Sequence, residues 1–181
     1  MLRTLYSRLI LTLFALLCLV GLILAQLIVH TGMQYEQEVS QKLNRDLAKN
    51  IITEHPLIQN HRVNRPALDG LFHDLMVINP SIELYLLGPD GRLLAWSAPE
   101  GTVKREHVSL GPIRRFLTPQ ERSPLMGDDP RDPDGRKVFS AAPITSDDIL
   151  QGYLYIVLGG DQYDDIAKMI QASYIFKTAV I

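Results

Sequence analysis

An α+β fold carried on a membrane helix is what this chain predicts, and three features of its pattern say so. Residues 9–29 form an unbroken run of 21 uncharged residues, LILTLFALLCLVGLILAQLIV. Aliphatic residues then recur every fourth position, at Val39, Leu43, Leu47 and Ile51. From Ile82 onward the period changes to two, with turn clusters between the alternating segments. Periods of about 3.6 and 2 are those of helix and strand, so helices come first and the sheet follows.

The opening run is the length of a membrane span. At about 1.5 Å per residue it reaches roughly 30 Å, the thickness of a bilayer's hydrocarbon core. A cleaved signal peptide has a shorter apolar region of about 7–15 residues and a small-x-small exit. Here the only candidate exit, Ile23-Leu24-Ala25, is poor, and Leu17 before Cys18 does not suit lipoprotein processing. Arg3 and Arg8 precede the run with no acid beside them, which places residues 1–8 in the cytoplasm, 9–30 in the membrane and 31–172 outside. In a Gram-negative source that outside is the periplasm, and the membrane is the inner one.

All 20 Asp and Glu and 14 of the 18 Lys and Arg lie between Glu36 and Asp165. About 140 residues there make one core-forming unit. Its balance over 31–172 is 15 basic against 20 acidic residues, which argues against nucleic acid as a partner. Cys18, the single cysteine, sits within the apolar run, so no intrachain disulfide exists and packing alone must hold the outer domain.

Each element then has a local reason. The stretch 33–55 has no Pro and no Gly, and its broad apolar stripe predicts one long helix ended by Pro56. That stripe is wide enough to serve both a core and a dimer contact near the membrane. Gln59-Asn60-His61-Arg62 is a polar connector. Pro66 suits a first helical turn, and Leu68, Leu71, Phe72 and Leu75 give the i, i+3, i+4, i+7 pattern up to Asn79-Pro80. Residues 82–87 and 92–97 flank Gly88-Pro89-Asp90-Gly91, a hairpin turn in which Pro presets one φ and Gly supplies a positive one. Two further strands are expected at 137–144 and 152–158, with a short helix at 112–117 in the crossover before them. Asp161 suits an N-cap for a final helix, whose apolar end from Tyr174 suggests the start of a second membrane helix over 173–181. The helices should cover one face of an antiparallel sheet.

LYSRLILTLFALLCLVGLILA, IELYLLGPDGRLLAWS, KVFSAAPI, GYLYIVLGG and LMGDDPRDPDGRKVFSAAPI, in this order, resemble the N-terminal sensor region of bacterial two-component sensor histidine kinases. In that family an extracytoplasmic PAS-like domain (Cache or PDC type) stands between two membrane helices. The resemblance implies a receptor half acting as a homodimer. A relay linker, a phosphoacceptor helix pair and an ATP- and Mg-dependent kinase domain acting on a response regulator would lie beyond it. No catalytic machinery is expected within these residues: His55 is followed at once by Pro56, and no Gly-rich nucleotide loop occurs. No cofactor is expected within them either. The other classes kept open are a bitopic envelope protein that binds a protein partner, and the input domain of a chemoreceptor or diguanylate cyclase.

Candidate binding residues follow from strand parity. Tyr85, Tyr153 and Tyr155 share one parity, with Trp96 on the same side, while Leu84, Leu86, Leu154 and Ile156 share the other. The aliphatic set should meet the helices, leaving the tyrosines on the face that binds ligand in PAS-like sensors. Arg114 and Arg115 are the natural partners for a small anionic or zwitterionic solute, because guanidinium pairs bidentately with carboxylate. Five histidines lack zinc spacing. Asp128, Asp129, Asp132 and Asp134 resemble a calcium loop only loosely: Pro130 interrupts them and no Glu closes the set. A solvated turn is the expectation there, with a divalent cation as the lesser alternative.

Overall fold

The computed structural model describes residues 5–59, 62–79, 81–99, 101–118 and 124–159. The expected final helix and the start of a second membrane helix lie outside these residues. Two compact units divide the chain, Met1–Val39 and Ser40–Ile181.

The first unit is helical, formed by most of α1 (Leu5–Leu43). Within it, Tyr6–Ile28 is a stretch of 23 residues with mean hydropathy 2.7, long and apolar enough to cross a membrane. None of the described residues buries it. No acid stands in the first turn of α1.

The second unit opens on a break that the aliphatic spacing did not predict. Instead of one helix over 33–55, α1 stops at Leu43 and α2 (Leu47–Glu54) begins after a turn. A local bond and a tertiary one act together. Asn44 Nδ2 donates back to the Ser40 carbonyl at 2.9 Å, the kind of side-chain competition that ends helices. The carbonyl of the next residue, Arg45, leaves the helix to accept from Ser140 Oγ at 3.0 Å. After α2 come a two-residue hairpin, β1 (Ile58–Gln59) with β2 (Arg62–Val63), and then α3 (Arg65–Ile78). The Asn64 side chain caps α3 from Ala67 N, and Pro66 lies in its first turn as its sequence suggests.

The sheet is antiparallel throughout, in the order β4-β3-β7-β6-β5. The expected hairpin is present: β3 (Ile82–Leu87) pairs with β4 (Leu93–Trp96), with a bulge beyond Leu86. β7 (Ile149–Leu158) lies between β3 and β6 (Arg136–Ser146), pairing Tyr85 with Tyr155 on one side and Ala141 with Tyr155 on the other. β5 (Met126–Asp128) is a strand the sequence reading missed. It pairs only with Arg136, Lys137 and Val138, so the rest of β6 is an edge among the described residues and tolerates Pro143. Asp147 and Asp148 make the two-residue β6–β7 turn at φ 50° and 61°, the primed geometry that matches strand twist.

The two sheet faces divide by parity as expected. Leu84, Leu86, Leu154 and Ile156 pack with Ala48 and Ile51 of α2 and Leu68 and Leu71 of α3. On the other face Tyr85, Leu87, Tyr153, Tyr155 and Val157 pack with Ile113 and Phe116 of α4 (Leu110–Phe116) and with Val108. Helices therefore cover both faces, where one covered face was expected. Every residue of β3 is buried, and every residue of β7 from Gln151 to Leu158.

Strands β3 and β7 approach closely at Gly152, where a Cβ would overlap the Leu87 carbonyl oxygen, a backbone atom that cannot swing aside. Gly152→Ala should therefore destabilise the second unit by about 1–3 kcal/mol or more, as overpacking does. A urea unfolding midpoint left unchanged by this substitution would show that the β3–β7 pairing here is not as described.

Candidate functional site

The tyrosine face is a packed aromatic row. Tyr85 of β3 and Tyr155 of β7 have ring centroids 6.4 Å apart. Tyr155 lies 5.0 Å from Phe139 of β6, and Phe139 lies 5.1 Å from Phe116 of α4. The Arg45 guanidinium, from the turn between α1 and α2, sits over the Phe116 ring at 5.1 Å and donates from Nη2 to the Phe116 carbonyl at 3.0 Å. These separations are those at which aromatic pairs and cation–π contacts attract.

The hydroxyls of the row end on charge. Tyr85 donates to Glu83 Oε2 at 2.6 Å, and Glu83 Oε1 pairs with Arg131 Nη1 at 2.8 Å. Both members of this pair are nearly buried, with side chains 10% and 11% exposed. Tyr155 donates to the Asp128 carbonyl at 2.8 Å. Around it, Asp128 Oδ2 accepts from Ser109 N at 2.9 Å and faces Arg105 at 3.6 Å. Asp129 Oδ2 faces Lys137 at 3.5 Å. Three acids and three bases thus neutralise one another at one end of the sheet. Burial, and then the hydrogen bond and charge of Glu83, push the Tyr85 phenol far above the usual tyrosine range. Burial with the charges of Asp128 and Asp129 does the same for Tyr155.

The structure brings some of the predicted residues together and leaves others apart. Tyr85, Tyr153 and Tyr155 share the second core, and Tyr85 and Tyr155 are fully enclosed. Trp96 stands opposite Tyr85 in the β3–β4 register, on the outer strand, and is 40% exposed. Arg114 and Arg115 project from α4 into solvent, while Ile113 and Phe116 form its buried side. The guanidinium groups that do reach the tyrosine hydroxyl ends are those of Arg105 and Arg131, which strand parity alone could not select.

The acidic stretch differs from the solvated turn expected of it. Asp128 and Asp129 are buried, and only Asp132 and Asp134 are exposed. The reason is β5, which carries Asp128 into the sheet and the ion pairs with it. Among the described residues no three His, Cys, Asp or Glu converge on a common metal position. No protein-family model, curated protein or solved structure matches the chain.

Removing Glu83 takes away the buried carboxylate that Arg131 and Tyr85 share, whereas truncating an exposed arginine removes little. Glu83→Ala should cost about 3–5 kcal/mol, and Arg114→Ala less than about 0.5 kcal/mol. Equal urea midpoints for the two variants would contradict the burial of the pair. A second outcome concerns pH. Both phenols have raised pKa values in the folded state, so unfolding above about pH 10 releases protons that the folded chain retains. Stability is therefore complete below about pH 10 and falls above it. Urea midpoints measured from about pH 8 to about pH 11 should show that decline, and Tyr155→Phe should make it shallower.

Proposed function

We propose that this chain is the signal-input region of a membrane sensor histidine kinase of a two-component system. In this reading α1 anchors the protein in the inner membrane, and the second unit is a periplasmic PAS-like (Cache-type) sensor domain working as a dimer. Its state is passed to a kinase domain that uses ATP and Mg and phosphorylates a response regulator.

The observation that carries the reading is where the start of the second unit and the end of strand β7 lie. Gln41, near the start of the unit, donates to the carbonyl of Phe139, at the beginning of β6. Phe139 pairs with Val157, one residue before the last of β7. Lys137 on the same stretch reaches the carbonyl of Gly159, just after β7. The start of the unit at Gln41 and the end of β7 thus share one end of the sheet, which suits a domain strung between two membrane helices. The connectivity gives further support. Counted from Ile82, the five strands lie in the order 2-1-5-4-3 with a helix-bearing crossover between the second and third, as in PAS-like domains.

The signal in this proposal is a small anionic or zwitterionic solute acting on the face of Tyr85, Trp96, Tyr153 and Tyr155. That face is filled by its own side chains, so the solute enters by displacing part of the crossover rather than by occupying an open cleft. Two measurements test the reading. A reporter active only in the periplasm, fused after Ser97, should be active, and activity of a cytoplasmic reporter there instead would end it. In a screen of organic acids and amino acids, a true ligand should raise the melting temperature in proportion to its occupancy. Loss of the shift in the Arg114→Ala/Arg115→Ala double variant would assign the carboxylate to these residues. Persistence of the shift would remove them from the site.

One observation favours a second reading, a bitopic envelope protein that binds a protein partner. Leu94 and Trp96 are large, exposed and on the outer strand β4. Under that reading no solute shifts the melting temperature, and Trp96→Ala abolishes partner binding without altering stability.

A further inference from the structure

The stretch 125–137, which comprises β5, the charged loop after it and the first residues of β6, contacts both the start of the second unit, here the entry, and the residue after β7, here the exit. At the entry, the Gln41 side chain is fully buried and grips the Leu125 backbone twice. Its Nε2 donates to Leu125 O at 2.9 Å, and its Oε1 accepts from Leu125 N at 2.7 Å. At the exit, Lys137 Nζ donates to the Gly159 carbonyl at 2.8 Å while facing Asp129 at 3.5 Å.

Between these two grips the loop is closed on itself. Asp129 N donates to Gly135 O at 3.0 Å and Gly135 N to Asp132 O at 3.1 Å. Asp129 Oδ1 accepts from Arg131 N at 2.9 Å, and Asp132 Oδ1 from Asp134 N at 3.1 Å. The crossover holds the loop from outside. Lys104 N and Arg105 N donate to Pro130 O at 2.9 Å and 3.0 Å, and Arg105 Nε donates to the carbonyls of Asp129 and Asp132, each at 3.1 Å. Arg105 Nη2 also donates to Pro133 O. Arg131 fixes the same loop to the start of β3 through Glu83.

A loop closed in this way offers a bonded route from one end to the other. We propose that residues 125–137 form a strap that couples the entry at Gln41 to the exit at Gly159, so that the two ends loosen and tighten together. This goes beyond the signalling reading and does not need it. If the chain does report a signal, the strap is the route by which a change at Arg105 in the crossover reaches both ends at once. Coupling between two positions is reciprocal by thermodynamic linkage, and that reciprocity makes the strap testable.

The test is hydrogen exchange on the full chain in detergent micelles, read at two amides. Leu125 N, held by Gln41 Oε1, reports the entry, and Gly159 N, which donates to Ser81 O at 3.1 Å, reports the exit. Lys137→Met keeps the stem but removes the ammonium. It should speed exchange at Leu125 by about fivefold or more, although Leu125 lies on the entry side. Gln41→Ser should speed exchange at Gly159 by a similar factor, and Arg115→Ala should move neither. If Lys137→Met unfolds the sheet outright, Lys137→Gln carries the same comparison. Acceleration limited to the substituted end overturns the strap, and so does equal acceleration along the whole of β7. Failure here would leave the topology and ligand tests of the signalling reading untouched.

Discussion

β3 and β7 are each buried on both faces, and the second unit is arranged around that constraint. A strand buried on one side needs one apolar parity, but a strand buried on both needs a cover for each. Leu84, Leu86, Leu154 and Ile156 are covered by α2 and α3, which precede the sheet in the chain. Among the described residues, Tyr85, Tyr155 and Val157 are covered by what lies between β4 and β6. That intervening passage looks irregular because it has two tasks. It supplies apolar cover through Val108, Ile113 and Phe116, and it must also satisfy the polar ends of the tyrosines it encloses.

The second task explains why so many charges lie near a core. A buried phenol needs a hydrogen-bond acceptor, and the two acceptors here are Glu83 and the Asp128 carbonyl. Glu83 in turn lies at the inner end of β3, where an unpaired carboxylate would cost several kcal/mol, so Arg131 must follow it inward. The loop that delivers Arg131 brings Asp129, which draws Lys137, and the crossover closes the set with Arg105 against Asp128. Each charge is there because of its neighbour. Replacing any one with a neutral residue of similar size removes a charge that its neighbours answer, and this gives the network its specificity.

Much of the sheet was legible in the sequence because its signals are local. The period-2 run from Ile82, the Gly88-Pro89-Asp90-Gly91 turn and the alternation in GYLYIVL gave two strands and a hairpin directly. Parity also separated the aliphatic face from the tyrosine face correctly. The misses are all consequences of tertiary contact. β5 spans only Met126, Gly127 and Asp128, too short for any period, and it exists because Gly127 lets the backbone lie against Phe139 and Tyr155. The turn after Leu43 interrupts a good helical stripe because the Arg45 carbonyl is wanted by Ser140. Arg114 and Arg115 stood out as a pair in the sequence. Arg105 and Arg131 are 26 positions apart and become neighbours only through one loop.

The same contacts explain why the break between α1 and α2 belongs to the architecture. A continuous helix over 33–55 could present a side chain to the sheet but not a backbone carbonyl, since its carbonyls would be spent within the helix. Ending α1 at Leu43 frees the Arg45 carbonyl for Ser140 Oγ, which also accepts from Ala48 N at 3.2 Å. One serine hydroxyl therefore ties both sides of the turn to β6. Gln41 on the preceding helical turn and Arg45 over Phe116 fix the same junction to Leu125 and to α4. Within eight residues, 41–48, the chain is bound to Leu125 just before β5, to β6 and to α4 by groups that satisfy their backbone. The cost of an unsatisfied buried amide or carbonyl is about 1–3 kcal/mol, comparable with what the few hydrogen bonds of a continuous helix would return. The side-chain ties of Gln41 and Arg45 add to the balance on the side of the turn, and residues 41–48 attach the start of the second unit to the sheet.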